Sequence, residues 1–187
     1  MAALLAACAD SSYGAQMVAV GADRSDAGGL EIARDAGVPT FVERVGDYPE
    51  RSDWDAALTR QVAAFEPDLV VSAGFLKLVG PRFLASFGGK YINTHNSLLP
   101  AFPGMAAPAE ALEYGVKVTG ATLFMVDEGV DTGAIIAQVV VPVLDDDDEA
   151  SLTERIKAAE RDQLVQAVGQ MVRQGWQVEG RRVRLGA

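Results

Sequence analysis

The sequence predicts an α/β fold, with a Rossmann-like, mostly parallel sheet flanked by helices and an antiparallel extension after residue 117. Strand-like and helix-like runs alternate up to residue 95, which implies right-handed crossovers and parallel pairing. The run DLVVSAG (68–74) is short and apolar, as expected of a strand covered on both faces. The extension rests on KVTGATLFMV (117–126) and AIIAQVVVPV (134–143), which are joined by the turn-forming DEGVDTG and suit an antiparallel pair.

Taken in order, the first eleven residues read as a helix whose apolar run starts without an N-cap. QMVAVG (16–21) is a strand, residues 26–37 a helix ending at Gly37, and VPTFVE (38–43) a second strand. Residues 51–65 form an amphipathic helix stopped at Glu66-Pro67. After 68–74 come a short helix at 81–87, a strand at 90–95, the loop SLLPAFPG (97–104) and a helix at 107–114. Residues 149–174 make one long helix, and 176–185 give one or two short strands. A single domain spanning 1–187 is expected from the length. Ligands on parallel sheets bind beyond the C-terminal strand ends, so Gly74–Lys77 and Asn93–His95 are expected to face one crevice.

Composition narrows the function classes. A net charge of −10 argues against a general nucleic-acid binder, because such affinity comes from basic residues that displace counterions. It leaves room for an anionic small substrate in a locally positive pocket. No apolar run approaches the roughly 18 residues of a membrane helix, so no membrane association is expected. Cys8 is the only cysteine, which rules out an internal disulfide or a thiolate metal cluster and fits a reducing cytosol. The acidic run Asp145–Asp148 lacks the spaced ligands and glycine of a calcium loop and reads as a solvated stretch before a helix. GADRSDAGG (21–29) is not a dinucleotide fingerprint, and a turn plus a helix cap explains it. Trp54 and Trp176 carry no motif.

His95 is the only histidine, and hence the default candidate for a group that titrates near neutral pH. A hydrogen-bonded structural histidine is the alternative. Its place just after a strand, two residues past Asn93 and before a proline-rich loop, favours chemistry.

NTHNSLLP (93–100) resembles the Asn-x-His-x-Ser-Leu-Leu-Pro signature of the folate-dependent formyltransferases, and within them the glycinamide ribonucleotide branch. AGFLKLV (73–79) resembles the stretch lining their folate pocket, and VDEGVDTGAIIAQ (126–138) their Asp-x-Gly loop. The resemblance implies attack of the glycinamide ribonucleotide amine on the formyl carbon of 10-formyltetrahydrofolate, the cosubstrate, in de novo purine synthesis, with no metal. Asn93 would donate to the oxyanion, and His95 would move protons. Asp131 would stand beside His95 and favour its protonated form. Arg51, Leu76, Lys77, Leu78, Val79 and Asn93 would contact folate, and Glu160 would hold the amine end of the acceptor. Leu99-Pro100 resembles a cis peptide of the family, and association into dimers fits it.

Each residue also has a plain structural reading: Asp131 as a turn residue, 76–79 as core, and Arg51 and Glu160 as charges on helix faces. Methionyl-tRNA formyltransferase, formyltetrahydrofolate hydrolase and a noncatalytic folate-binding protein remain alternatives. The first two normally carry a further domain, and the acidic balance disfavours tRNA.

Three departures stand out. The uncapped start implies that about a dozen residues of the family pattern are missing, with its first strand and phosphate-binding loop. Weak binding of the phosphorylated acceptor, low or absent activity and an exposed sheet edge are then expected. Ala106 stands where the family often has histidine. Asn96 and Ala134 stand where prolines are common, which is expected to loosen both loops.

Overall fold

The computed structural model describes residues 1–186. The chain divides into two compact units, Met1–Tyr91 and Ile92 onward.

In the first unit, α1 (Ala2–Cys8) is followed by a 3-10 turn at Ser11–Tyr13, so the expected eleven-residue helix is shorter than its apolar run. Asp10 ends it by accepting from the Ser12 N–H at 2.8 Å. β1 (Val20–Ala22) pairs in parallel with β2 (Thr40–Val42) across α2 (Gly28–Asp35). A Cβ on Gly21 would lie 2.2 Å from the Phe41 ring, so glycine lets that ring close over β1. No side chain caps α2, contrary to the cap expected from GADRSDAGG. α3 (Arg51–Ala63), β3 (Val70–Ser72) and α4 (Pro81–Phe87) complete the unit, with Pro81 in the first turn of α4, where its missing N–H costs nothing. β1 and β2 form a two-stranded sheet of their own, and no strand among the described residues joins β1 to β3.

In the second unit, β4 (Tyr91–His95), β5 (Val118–Met125) and β6 (Ile135–Pro142) pair antiparallel in that order. α5 (Ala107–Tyr114) precedes β5 and ends at Gly115, whose φ of 76° suits a left-handed helix stop. α6 (Glu149–Gln174) runs 26 residues and starts from a reciprocal capping box between Asp148 and Ser151. It buries Leu152 and Ile156 against Ala121 and Val141 of the sheet. The C-terminal residues form a hairpin, β7 (Trp176–Glu179) with β8 (Arg182–Leu185). The class is α/β, with parallel strands early and the antiparallel extension where the sequence predicts it.

The acidic run before α6 is not simply solvated. The Asp147 side chain is only 2% exposed and accepts two hydrogen bonds from Arg155, at 2.6 and 2.7 Å. The Arg155 guanidinium, helped by the Leu144 N–H, holds the Asp147 carboxyl well below the usual carboxylate range. Among the described residues, no cluster of three or more His, Cys, Asp or Glu could hold a metal, and no helix is long and apolar enough to cross a membrane.

Candidate active site

β4 decides which side chains meet. Neighbouring residues on a strand face opposite ways, so Asn93 and His95 share one face and Thr94 takes the other. His95 stands opposite Thr122 and Thr94 opposite Leu123. Thr94 Oγ1 donates to Glu160 Oε1 of α6 at 2.9 Å, so Asn93 and His95 occupy the face away from α6.

Buried polar groups fold the next loop back onto the sheet. Thr122 Oγ1 donates to the Ser97 carbonyl at 2.7 Å and accepts the Leu99 N–H at 3.0 Å. Gln138 Nε2 donates to the Leu99 carbonyl at 2.9 Å and to Thr122 Oγ1 at 3.0 Å. Ser97 and Thr122 are fully buried, so these bonds replace water they have lost. Leu99-Pro100 is cis, and Phe102 adopts a left-handed φ of 50°. The Phe102 carbonyl comes within 2.7 Å of His95 Nε2. A carbonyl only accepts, so Nε2 carries the hydrogen and Nδ1 is the edge left for chemistry.

That edge faces Asp131. His95 Nδ1 lies 3.6 Å from Asp131 Oδ2, with the two side chains only 6% and 12% exposed. Asp131 sits at φ 54°, a left-handed conformation that aspartate tolerates better than most residues. The same Oδ2 accepts the Gly104 N–H at 2.8 Å. Around it, Asp127 Oδ1 accepts from the Gly129 N–H at 3.0 Å and from Thr132 Oγ1 at 2.6 Å, and the Met125 N–H donates to the Ala134 carbonyl at 2.8 Å. A Cβ on Gly133 would lie 1.6 Å from the Met125 carbonyl oxygen, so only glycine closes the loop there. These bonds tie the loop that carries Asp131 to itself and to the start of β6. Asn93 is partly exposed, and its carboxamide has no partner among the described residues, which leaves its N–H groups able to meet a ligand.

The other predicted residues lie in the first unit, where one face of α3 grips the segment after β3. Arg51 donates to the Leu78 carbonyl, and its guanidinium lies 5.3 Å from the Trp54 ring centre. Trp54 stacks on Phe75 at 6.4 Å and donates its indole N–H to the Glu43 carbonyl. Asp55, buried, accepts from the Gly80 N–H at 2.8 Å and the Arg82 N–H at 2.9 Å, closing the first turn of α4. Leu76 and Leu78 are 67% and 59% exposed, so the reading of this stretch as core fails for both. Exposed leucines held on a rigid segment suit an apolar ligand better than water. Lys77 pairs with Asp23 at 3.8 Å, and Val79 is half-buried.

The family described as formyl transferase matches residues 1–168. The chain belongs to the formyl transferase family. Phosphoribosylglycinamide formyltransferase of Mycobacterium tuberculosis is 55% identical over 174 residues, covering 93% of this chain and 80% of that protein. The human trifunctional purine biosynthetic protein adenosine-3 is 39% identical over 92% of this chain, which spans 17% of its length. The crystal structure of glycinamide ribonucleotide transformylase 1 from Symbiobacterium toebii superimposes with a TM-score of 0.95 at 42% identity, covering 98% of this chain and 87% of that one.

In this formyl transferase, the structure brings His95 and Asp131 together and puts Asn93 on the face His95 uses. Glu160 is tied to the opposite face of β4 through Thr94. Asp131 is a left-handed turn residue, and its carboxylate meets the imidazole. Thr122, Gln138, Trp54 and Asp55 were missed. For the last two a signal existed: they follow Arg51 by three and four residues, the spacing of one helix face. Thr122 and Gln138 gave none, since a polar residue in an apolar strand does not name its partner.

Proposed function

We propose that this chain transfers the formyl group of 10-formyltetrahydrofolate to the amine of glycinamide ribonucleotide, a step of de novo purine synthesis. The observation that carries the reading is the tethered imidazole, with Nε2 on the Phe102 carbonyl and Nδ1 facing the Asp131 carboxylate, on the strand face that also carries Asn93.

The acceptor amine attacks the formyl carbon, whose carbonyl oxygen becomes an oxyanion. The free carboxamide of Asn93 donates to that oxygen, and loss of such a donor typically costs about 10²–10³ in rate. His95 receives the proton shed by the attacking nitrogen through Nδ1 and returns one to the departing folate nitrogen, while Asp131 stabilises the imidazolium in between. The carbon–nitrogen bond to folate then breaks, leaving formylated acceptor and tetrahydrofolate. Arg51 and the exposed Leu76 and Leu78 serve the folate, with Lys77 and Val79 beside them, while Glu160, held by Thr94 on the opposite face of β4, is given no part in the transfer.

Formylated acceptor and tetrahydrofolate should appear in equal amounts when the protein is given both substrates. Tight folate binding with no formylated acceptor would defeat the proposal in favour of a binding protein.

A further inference from the structure

The turn of the C-terminal hairpin reaches the loop that carries Asp131. Arg181, between β7 and β8, donates through one terminal nitrogen to the Thr132 carbonyl at 2.9 Å and through the other toward the Gly133 carbonyl at 3.5 Å. These are the two peptide groups that follow Asp131. Gly180 takes a left-handed φ of 60° in the turn, a conformation that suits glycine.

Besides the Met125–Ala134 bond at its base, three side-chain ties hold this loop. Asp127 acts from inside it, through Gly129 and Thr132. Gly104 acts on the Asp131 carboxylate itself. Arg181 comes from 49 residues away and fixes the main chain just after Asp131. Thr132 is thereby gripped at both ends, its hydroxyl by Asp127 and its carbonyl by Arg181. Asp131 stands in a left-handed conformation that a chain leaves readily unless its neighbours hold it. A planar guanidinium can fork across two successive carbonyls, which a single ammonium cannot do with one geometry.

We propose that Arg181 is a positioning residue for formyl transfer, setting the Asp131 carboxylate against His95 by clamping the Thr132 and Gly133 carbonyls. The proposal rests on the catalytic reading of Asp131 given above. Arg181 is exposed and contributes no apolar core, so its replacement leaves the fold intact. A misplacement of about 1 Å at such a pair can cost about 10²-fold in rate.

The test compares Arg181→Ala, Arg181→Lys and Asp131→Asn with the parent protein in turnover, folate affinity, thermal melting and NMR of the His95 ring, the only imidazole in the chain. Arg181→Ala should lower kcat by about 10- to 100-fold. It should leave folate affinity and melting close to the parent and move the His95 ring signals. Arg181→Lys, which keeps the charge and a single donor nitrogen, should recover part of the turnover. Unchanged His95 signals with unchanged kcat in Arg181→Ala would overturn the proposal, and so would a loss of melting temperature with full turnover in the folded fraction. If Asp131→Asn itself keeps full turnover, the reading of the site fails instead, whatever Arg181 does.

Discussion

Asp131→Asn removes one charge and leaves a side chain of the same shape. Asparagine can still accept the Gly104 N–H, which Asp131 Oδ2 accepts at 2.8 Å, so the loop should keep its place. What disappears is the attraction between the carboxylate and the imidazolium formed during transfer. The two groups stand 3.6 Å apart and are nearly buried. At an effective permittivity of about 20, unit charges at that distance attract by about 4–5 kcal/mol. The amide dipole keeps part of this, and the loss left over corresponds to about 10²–10³ in kcat. Turnover is measured by formation of tetrahydrofolate at saturating substrates, and folate affinity separately by titration calorimetry. Folate affinity should change by less than about threefold, because the interaction matters only when the imidazolium forms. A variant that keeps more than about a third of its turnover, or loses affinity in step with rate, would refute this account of Asp131.

Asp55→Ala leaves the Gly80 and Arg82 N–H groups without their acceptor at a part-buried site, which should cost about 1–3 kcal/mol of stability, measured by urea unfolding. Because Asp55 also anchors the segment after Leu78, folate affinity should fall with it, and unaltered stability would show that water replaces the carboxylate. Asp147→Asn should lower the melting temperature at neutral pH. The folded Asp147 carboxyl is held below its ordinary range by Arg155, so its contribution is complete above the unfolded carboxylate range and is lost as pH falls. The gap in melting temperature between parent and variant should therefore shrink below about pH 4. A gap that stays constant down to pH 3 would contradict the pairing.

Local pattern carried far along the chain. α4, α5 and α6 begin and end where proline, glycine and capping residues place them, and β5 and β6 pair across the predicted turn, because these features depend on hydrogen bonds between near neighbours. Of the early strands, Thr40–Val42 and Val70–Ser72 sit inside the expected runs but are only three residues each, since a strand extends only as far as its partner does, while Val20–Ala22 overlaps the expected 16–21 only at its end. For Leu76 and Leu78 the alternative reading as core fails, since both are exposed, because apolar character does not state which way a loop side chain points.

Pattern along the chain was enough for the α/β class and for the residue types of the candidate centre, with Asn93 and His95 two residues apart at the end of one strand. Only the tertiary structure decided that the Phe102 carbonyl occupies Nε2, that Asp131 faces Nδ1, and that Asp55 and Arg181 fasten segments 25 and 49 residues away. Such contacts depend on how loops close over the sheet. Loop closure has no period along the chain, and it is set by buried polar groups such as Ser97 and Thr122 that must find partners once water is gone.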